Sequence, residues 1–290
     1  MRIPYYPGCT LYTRAKNLED STRASAEALG IELVEIPNWT CCGATFSMVD
    51  DSVMTLVAPV RNLAYASKEG DRLVTTCAFC YNTLKRANRV VAEDADRRRK
   101  INDFIEEEYQ GNVRVVHLLE LLRDDVGFET LGRHVERRLG GLRVAPYYGC
   151  MLLRPFEEVG IDDPEDPRIL EDFLQSLGCE VAAFPYRTEC CGSYLTISST
   201  DVAVERSYTI LDSALTNGAE AIVQSCPLCH FNLDQRQREI STKHRQFRGV
   251  PVLYFTQLLG LALGIEEDVY GFHLHYVDPR HMLRKKGFIL

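Results

Sequence analysis

The chain alternates short apolar runs with longer stretches in which apolar residues return every third or fourth position. Apolar runs predict strands over 2–6, 31–36, 72–75 and 113–116, and helical spacing predicts helices over 18–29 and 52–68, after Cys80, and from 117 to 122. Gly30 and Gly70 stand where the first two helices should stop, and Pro37 closes the second strand. From about residue 141 the order restarts: strand 142–146, helix 168–177 ending at Gly178, strand 179–184 closed by Pro185, helix 202–216, strand 221–224, a further helix, and strand 252–254. Strands alternating with helices imply parallel sheet with helices packed on it. The expected fold is α/β: two tandem, pseudo-symmetric α/β domains, 1–140 and 141–290, the second with a C-terminal tail. The segment 124–140 between them reads as helical rather than as a flexible linker.

Cysteines mark the repeat. Cys9, Cys41-Cys42-Gly43 and Cys77-Ala78-Phe79-Cys80 in the first half answer Cys150, Cys190-Cys191-Gly192 and Cys226-Pro227-Leu228-Cys229 in the second. Thirty-one residues separate Cys9 from Cys41 and 39 separate Cys150 from Cys190, whereas 34 separate the vicinal pair from the Cys-x-x-Cys in both halves. A period of 141 to 149 residues is too long for a solenoid and denotes tandem duplication. Tyr147-Tyr148-Gly149-Cys150 answers Tyr5-Tyr6-Pro7-Gly8-Cys9 with one residue deleted. In each half the three cysteine groups follow three different strands, and loops at the carboxyl ends of parallel strands converge. Five thiols per half are therefore expected to meet, with the cysteine clusters at the strand C-terminal ends.

Composition narrows the chemistry. A formal charge of -8 argues against a general nucleic-acid binder. No run of 18 apolar residues exists and the N-terminus lacks a signal-peptide pattern, so the expectation is a cytoplasmic protein without a transmembrane segment. In a reducing compartment eleven cysteines point to metal ligation or redox chemistry rather than structural disulfides.

Each Cys-x-x-Cys sits at an expected helix start, where free N–H groups favour thiolate. Two consecutive cysteines serve one site only if the backbone turns sharply or if they bind different metal atoms. Gly43 and Gly192 allow such a turn. A closed zinc site needs four ligands and each half offers five, which favours an unusual iron-sulfur centre. The compact spacing of ferredoxins is absent.

This doubled pattern, which spans essentially the whole chain, resembles the B subunit of heterodisulfide reductase. The resemblance implies a noncubane [4Fe-4S] cluster in each half, the first held by Cys9, Cys41, Cys42, Cys77 and Cys80 and the second by Cys150, Cys190, Cys191, Cys226 and Cys229. It also implies clusters facing each other across a cavity, each contributing one electron as a disulfide is reduced to two thiols, or the reverse. The implied partners are the iron-sulfur C subunit and the flavin-containing A subunit of such a complex, and the implied substrate is the coenzyme M/coenzyme B heterodisulfide or a related small-molecule or small-protein disulfide. More distant relatives supply a second reading, an iron-sulfur electron-transfer subunit of a quinone- or flavin-linked dehydrogenase. A third is a zinc-stabilised interaction scaffold, zinc using four of the five thiols.

Other residues carry weaker signals. Arg14 and Arg154 follow the first cysteine of each half and are candidates for holding an anionic substrate group, against the plainer reading of surface arginines. His230 follows Cys229 where the first half has Tyr81, and is a candidate proton donor beside the second site. Cys179 reads as a buried filler, and His117, His134 and His244 as surface or internally satisfied histidines. The mixed charges around 97–108 read as a solvated helical face, or as a docking surface. The tail after Gly264, with His273-Leu274-His275, should pack along the body or contact a partner.

Overall fold

The computed structural model describes residues 1–44 and 52–290. The first half runs β1 (Arg2–Tyr5), α1 (Lys16–Ala28), β2 (Glu32–Glu35), α2 (Val53–Glu69), β3 (Arg72–Thr75), α3 (Ala78–Glu93), α4 (Ala95–Ile105), β4 (Arg114–His117), α5 (Leu118–Leu121) and α6 (Phe128–His134). The second runs β5 (Arg143–Pro146), α7 (Phe156–Val159), α8 (Ile169–Ser176), β6 (Glu180–Val181), α9 (Thr200–Thr216), β7 (Ala221–Gln224), α10 (Pro227–His230), α11 (Gln237–Lys243), β8 (Val252–Tyr254), α12 (Phe255–Ala262) and α13 (Arg280–Lys285). The strands form two four-stranded parallel sheets of equivalent order, β2-β1-β3-β4 and β6-β5-β7-β8. The fold is α/β with the repeat that the cysteines announced.

In this strand order the chain leaves β1 in one direction and later passes back to β3 on its other side. The loops after β1 and β3 consequently diverge at their carboxyl ends, and a crevice opens between them. Cys9 and Cys77 lie on those two loops, and Cys150 and Cys226 occupy the same places beside β5 and β7. The register confirms the repeat: Tyr6 N donates to Val74 O at 2.8 Å, and Tyr147 N to Val223 O at 2.8 Å. Tyr147 is thus the counterpart of Tyr6, Tyr148 of Pro7 and Gly149 of Gly8. The one-residue deletion suggested by matching tyrosine to tyrosine does not exist in space.

The two halves join through helices. α1 packs on α12 from the other half, and α8 packs on α5 and α6 in the equivalent arrangement. Phe173 and Phe255 are fully buried there, with ring centroids 5.7 Å apart, and the His117 ring lies 5.8 Å from Phe255. Burying a side chain of this size contributes about 1.5–3 kcal/mol, more than a single neutral hydrogen bond such as Ser21 to Thr256. Apolar packing therefore sets how the halves meet.

One expectation changes in detail, and one of two alternatives for the tail is met. The strand expected over 179–184 covers only Glu180–Val181, because after Ala182 the chain meets Pro185, which cannot donate to a ladder. Arg187 O instead accepts from Tyr148 N and Gly149 N at 2.9 and 3.2 Å. The tail packs along the body: Tyr270, Phe272, His275, Leu283 and Phe288 are buried, and Phe288 O accepts from Arg137 at 2.6 Å.

Candidate metal centre

The ten cysteines of the pattern form one continuous line of thiols. Cys9 and Cys41 Sγ lie 3.5 Å apart, as do Cys42 and Cys80, and Cys191 and Cys229. Side-chain contacts complete the order Cys9, Cys41, Cys42, Cys80, Cys77, Cys226, Cys229, Cys191, Cys190, Cys150. The two sets of five meet at Cys77 and Cys226, where Ala78 N also donates to Ser225 O at 3.4 Å. The middle of the line is buried, while Cys9 and Cys41 are exposed and Cys150 and Cys190 partly so.

Local structure explains the convergence. Cys77 and Cys226 are the extended residues before α3 and α10, so Cys80 and Cys229 fall one helical turn later on the same side. Each vicinal pair is held by a tyrosine: Tyr6 OH donates to Thr40 O at 2.8 Å and Tyr147 OH to Glu189 O at 2.7 Å, in both cases the carbonyl just before the pair. Gly192 has φ +78°, and its N–H donates to Cys190 Sγ at 3.3 Å, so the turn that splays the two thiols also offers one a backbone donor. At Gly8, a Cβ would lie 2.8 Å from Cys80 Sγ, and at Gly149 it would lie 3.3 Å from Cys229 Sγ. Backbone lies directly against sulfur at both places.

The electrostatics follow from crowding. Hydrogen bonding from Cys42 and Cys9 pulls the Cys41 thiol down to about 2, and Cys150 and Cys191 do the same for Cys190. The neighbours rise in turn: Cys41 pushes Cys42 up, and Cys190 pushes Cys191 up, to about 12. Cys226 and Cys80 likewise hold Cys77 well below the usual thiol range, so Cys41 and Cys77 in the first half and Cys190 in the second form thiolate readily while the thiols beside them hold their protons. A metal centre that draws in all five must displace those protons by its own positive charge. The donor set is soft, mostly buried and wholly sulfur, which suits zinc or iron-sulfur ligation and disfavours hard cations.

Around this line lie the other singled-out residues. Arg14 and His230 line one cavity of about 500 Å³ between residues 10–15 and α10. Arg154 turns elsewhere, donating to Glu165 Oε1 and Pro164 O at 2.8 Å and to Thr188 O at 3.3 Å. Cys179 is buried apart from the line, its thiol pushed up to about 12 by burial alone. His117 is wholly buried and satisfied, with Nε2 2.9 Å from Thr76 O, while His134 bonds Thr130 O and His244 bonds Glu205.

One group escaped the sequence reading. His230, Asp234 and His275 are buried together, with one ligand-type atom of each within 4.8 Å of the others. His275 Nε2 accepts from Asn17 Nδ2 at 3.1 Å and from Gln257 Nε2 at 2.9 Å, the latter amide being oriented by Tyr254 N donating to Gln257 Oε1. Asp234 accepts from Tyr276 N and Val277 N at 2.6 and 3.2 Å. The ring lone pair and the carboxylate are occupied in anchoring the tail, so the group fastens residues 275–277 over α10. A histidine beside Cys229 and a second in a His-x-His tail were visible in the sequence, but their meeting depends on tertiary structure.

The family model described as the cysteine-rich domain, CCG, matches residues 3–85 and 144–234. The chain belongs to the CCG cysteine-rich domain family. Among its relatives, the membrane anchor subunit of 8-methylmenaquinol:fumarate reductase from Wolinella succinogenes is 35% identical over 94% of this chain and 96% of that protein. The B subunit of the ferredoxin/F420H2-dependent CoB-CoM heterodisulfide reductase from Methanosarcina acetivorans is 28% identical over 98% of this chain and 96% of its own length. A protein from Archaeoglobus profundus, described as like the B subunit of heterodisulfide reductase, is 30% identical, covering 96% and 95%. In fold, the chain is similar to a hypothetical protein from Helicobacter pylori with TM-score 0.77 at 13% identity, covering 95% of this chain and about half, 51%, of that one. No helix among the described residues is long and apolar enough to cross a membrane.

Proposed function

We propose that this CCG-family protein is the iron-sulfur subunit of a multi-subunit reductase and that it cleaves a disulfide to two thiols, RS–SR′ + 2 e⁻ + 2 H⁺ → RSH + R′SH. In this reading Cys9, Cys41, Cys42, Cys77 and Cys80 hold one noncubane [4Fe-4S] cluster and Cys150, Cys190, Cys191, Cys226 and Cys229 hold a second. Bound there, the two clusters would supply one electron each and a thiophilic surface for sulfur. The observation that carries the reading is the meeting of the two five-thiol sets at Cys77 and Cys226, which would bring two such clusters within reach of one substrate. A disulfide has two sulfur atoms to receive, and the duplicated fold offers two sites.

The chain's own residues supply the setting. Tyr6 and Tyr147 fix the vicinal pairs, and buried Tyr254 lies close to Cys226 and Cys77. His230 stacks on Tyr254 at 4.6 Å and lines the cavity, but burial holds its ring well below the usual imidazole pKa, so it stays neutral and the proton-donor role expected of it is not supported. Reducing equivalents would arrive from an iron-sulfur partner protein, itself served by a flavin-containing one, consistent with relatives that are named as parts of larger complexes.

A second reading has its own support: the fumarate reductase membrane anchor subunit shares more identity with this chain than the two heterodisulfide reductase relatives do. There the same cysteines would carry electrons between a quinol and a dehydrogenase. Anaerobic EPR of the oxidised protein, titrated with small thiols and disulfides, separates the two. A new paramagnetic signal on adding a thiol or disulfide supports sulfur chemistry, and silence towards every thiol with a response to a quinol analogue supports electron transfer. Zinc without acid-labile sulfide in the anaerobically purified protein would sink both.

A further inference from the structure

The duplication creates two equivalent crossings, in each of which the loop after one half's first cysteine lies against the helix after the other half's Cys-x-x-Cys. They are finished differently. At one crossing residues 150–160 are fastened to α3: Asn82 Nδ2 donates to Met151 O at 2.9 Å and Arg154 O at 2.6 Å, and Tyr81 OH and Lys85 Nζ donate to Val159 O at 3.1 and 2.6 Å. The positions of Tyr81, Asn82 and Lys85 are taken in the other half by His230, Phe231 and Asp234. Phe231 has no donor, and Asp234 is turned to the backbone of the tail. The facing loop is also shorter, since Cys9 and Cys41 are separated by 31 residues against 39 between Cys150 and Cys190. One crossing is therefore tied shut by these bonds, the cavities of about 270 and 460 Å³ that border it being lined mainly by charged and polar residues such as Lys85, Arg86, Arg89 and Glu158, and the other retains the largely apolar cavity of about 500 Å³.

The walls of that cavity are apolar for the most part: Ala15, Pro227, Leu228, Phe231, Tyr254 and Leu274. Arg14 stands on its wall, exposed and in no ion pair or hydrogen bond among the described residues, whereas Arg154 on the sealed side is ion-paired with Glu165 at 2.8 Å. An apolar lining favours a stem that can be taken out of water, at about 25 cal/mol per Å² of apolar area. A guanidinium without a carboxylate partner offers its forked donors to a carboxylate, sulfonate or phosphate. In a chain of net charge -8, such a cation is what makes an anion welcome at that spot.

We infer that the open crossing is the one ligand site of the pair, and that it takes an elongated molecule with an apolar stem and an anionic end held by Arg14. The inference rests on the reading that both cysteine sets serve one ligand, and it names the face from which that ligand arrives. The asymmetry is written in the sequence as Phe231 against Asn82 and as the eight extra residues after Cys150.

Calorimetric titration of the anaerobically purified, cluster-containing protein with octane-1-sulfonate and with octan-1-ol tests it. The sulfonate should bind at one site per chain and more tightly than the alcohol. Arg14→Gln should weaken the sulfonate about tenfold and leave the alcohol unchanged. Leu274→Trp, which fills the cavity from a partly exposed position, should weaken both, and Arg154→Gln should change neither, with unaltered cluster absorbance showing that each variant is intact. Absence of sulfonate binding, equal binding of sulfonate and alcohol, or an indifferent Arg14→Gln overturns the inference. Sulfonate binding as expected in a protein whose EPR signal ignores every thiol and disulfide would instead remove the disulfide reading and leave the cavity assignment standing.

Discussion

At the scale of single residues, the vicinal cysteines are the sharpest test. Cys42 and Cys191 lie in the buried middle of the thiol line and each touches both its neighbour in sequence and the distal cysteine of Cys-x-x-Cys. Cys42→Ser or Cys191→Ser should lower iron from about eight to about four atoms per chain, read by anaerobic metal analysis; full iron in either variant would remove that cysteine from the ligand set. Buried histidines give a second test. Burial pushes His117 down to about 3 and His275 down to about 4, so both stay neutral in the folded protein while the unfolded chain binds protons near 6.5. Their contribution is present above about 6.5 and is lost as pH falls from there, through about 4 for His275 and about 3 for His117. Asp234, raised to about 6 by burial, acts in the opposite sense: it favours the folded state below its unfolded value near 4, and that benefit is lost as pH rises to 6. Denaturant unfolding at pH 7 and 5 should show lower stability at pH 5, and His117→Asn should flatten that difference. An unchanged slope would mean that His117 is not held neutral. The cysteine types and spacings were legible in the sequence, but which thiols touch was not, because contacts between residues far apart in sequence depend on the loops between strands.

At the scale of elements, the tyrosine after each first strand links sheet to metal centre. Tyr6→Phe and Tyr147→Phe remove a hydrogen bond to the carbonyl before each vicinal pair and should each cost about 0.5–1.5 kcal/mol, measured by denaturant unfolding, with looser cluster retention in the affected half. No change in either quantity would show that the pairs are positioned by the cysteines alone. The position of Gly8 is stricter still, because φ +81° and a 2.8 Å approach to Cys80 Sγ both penalise a side chain. Alternating strands and helices, their stops and the duplication could all be read from apolar spacing. The equivalence of Tyr147 with Tyr6 could not, since matching identical letters put Tyr148 there and only the sheet register corrects it.

At the scale of the whole molecule, we place the boundary between domains near residues 140 and 141, yet the two halves depend on each other. The tail inserts His275 between Asn17 of α1 and Gln257 of α12, and α1 itself packs on α12. Deleting residues 265–290 should therefore destabilise both halves together, giving one earlier unfolding transition; a first half that melts unchanged would show that the tail serves the second half only.

The sequence by itself determined the α/β class, the duplication, the ten cysteines and their arrival at strand ends, because strand and helix periodicity and backbone chemistry are local. Tertiary structure decided how the two sets face each other, since that follows from apolar packing of α1, α12, α5, α6 and α8 between residues distant in the chain. It also decided that one crossing is sealed by Asn82 and the other left open beside Phe231. Hydrogen-bond donors act only where a carbonyl is brought to meet them, and that meeting is made by the fold.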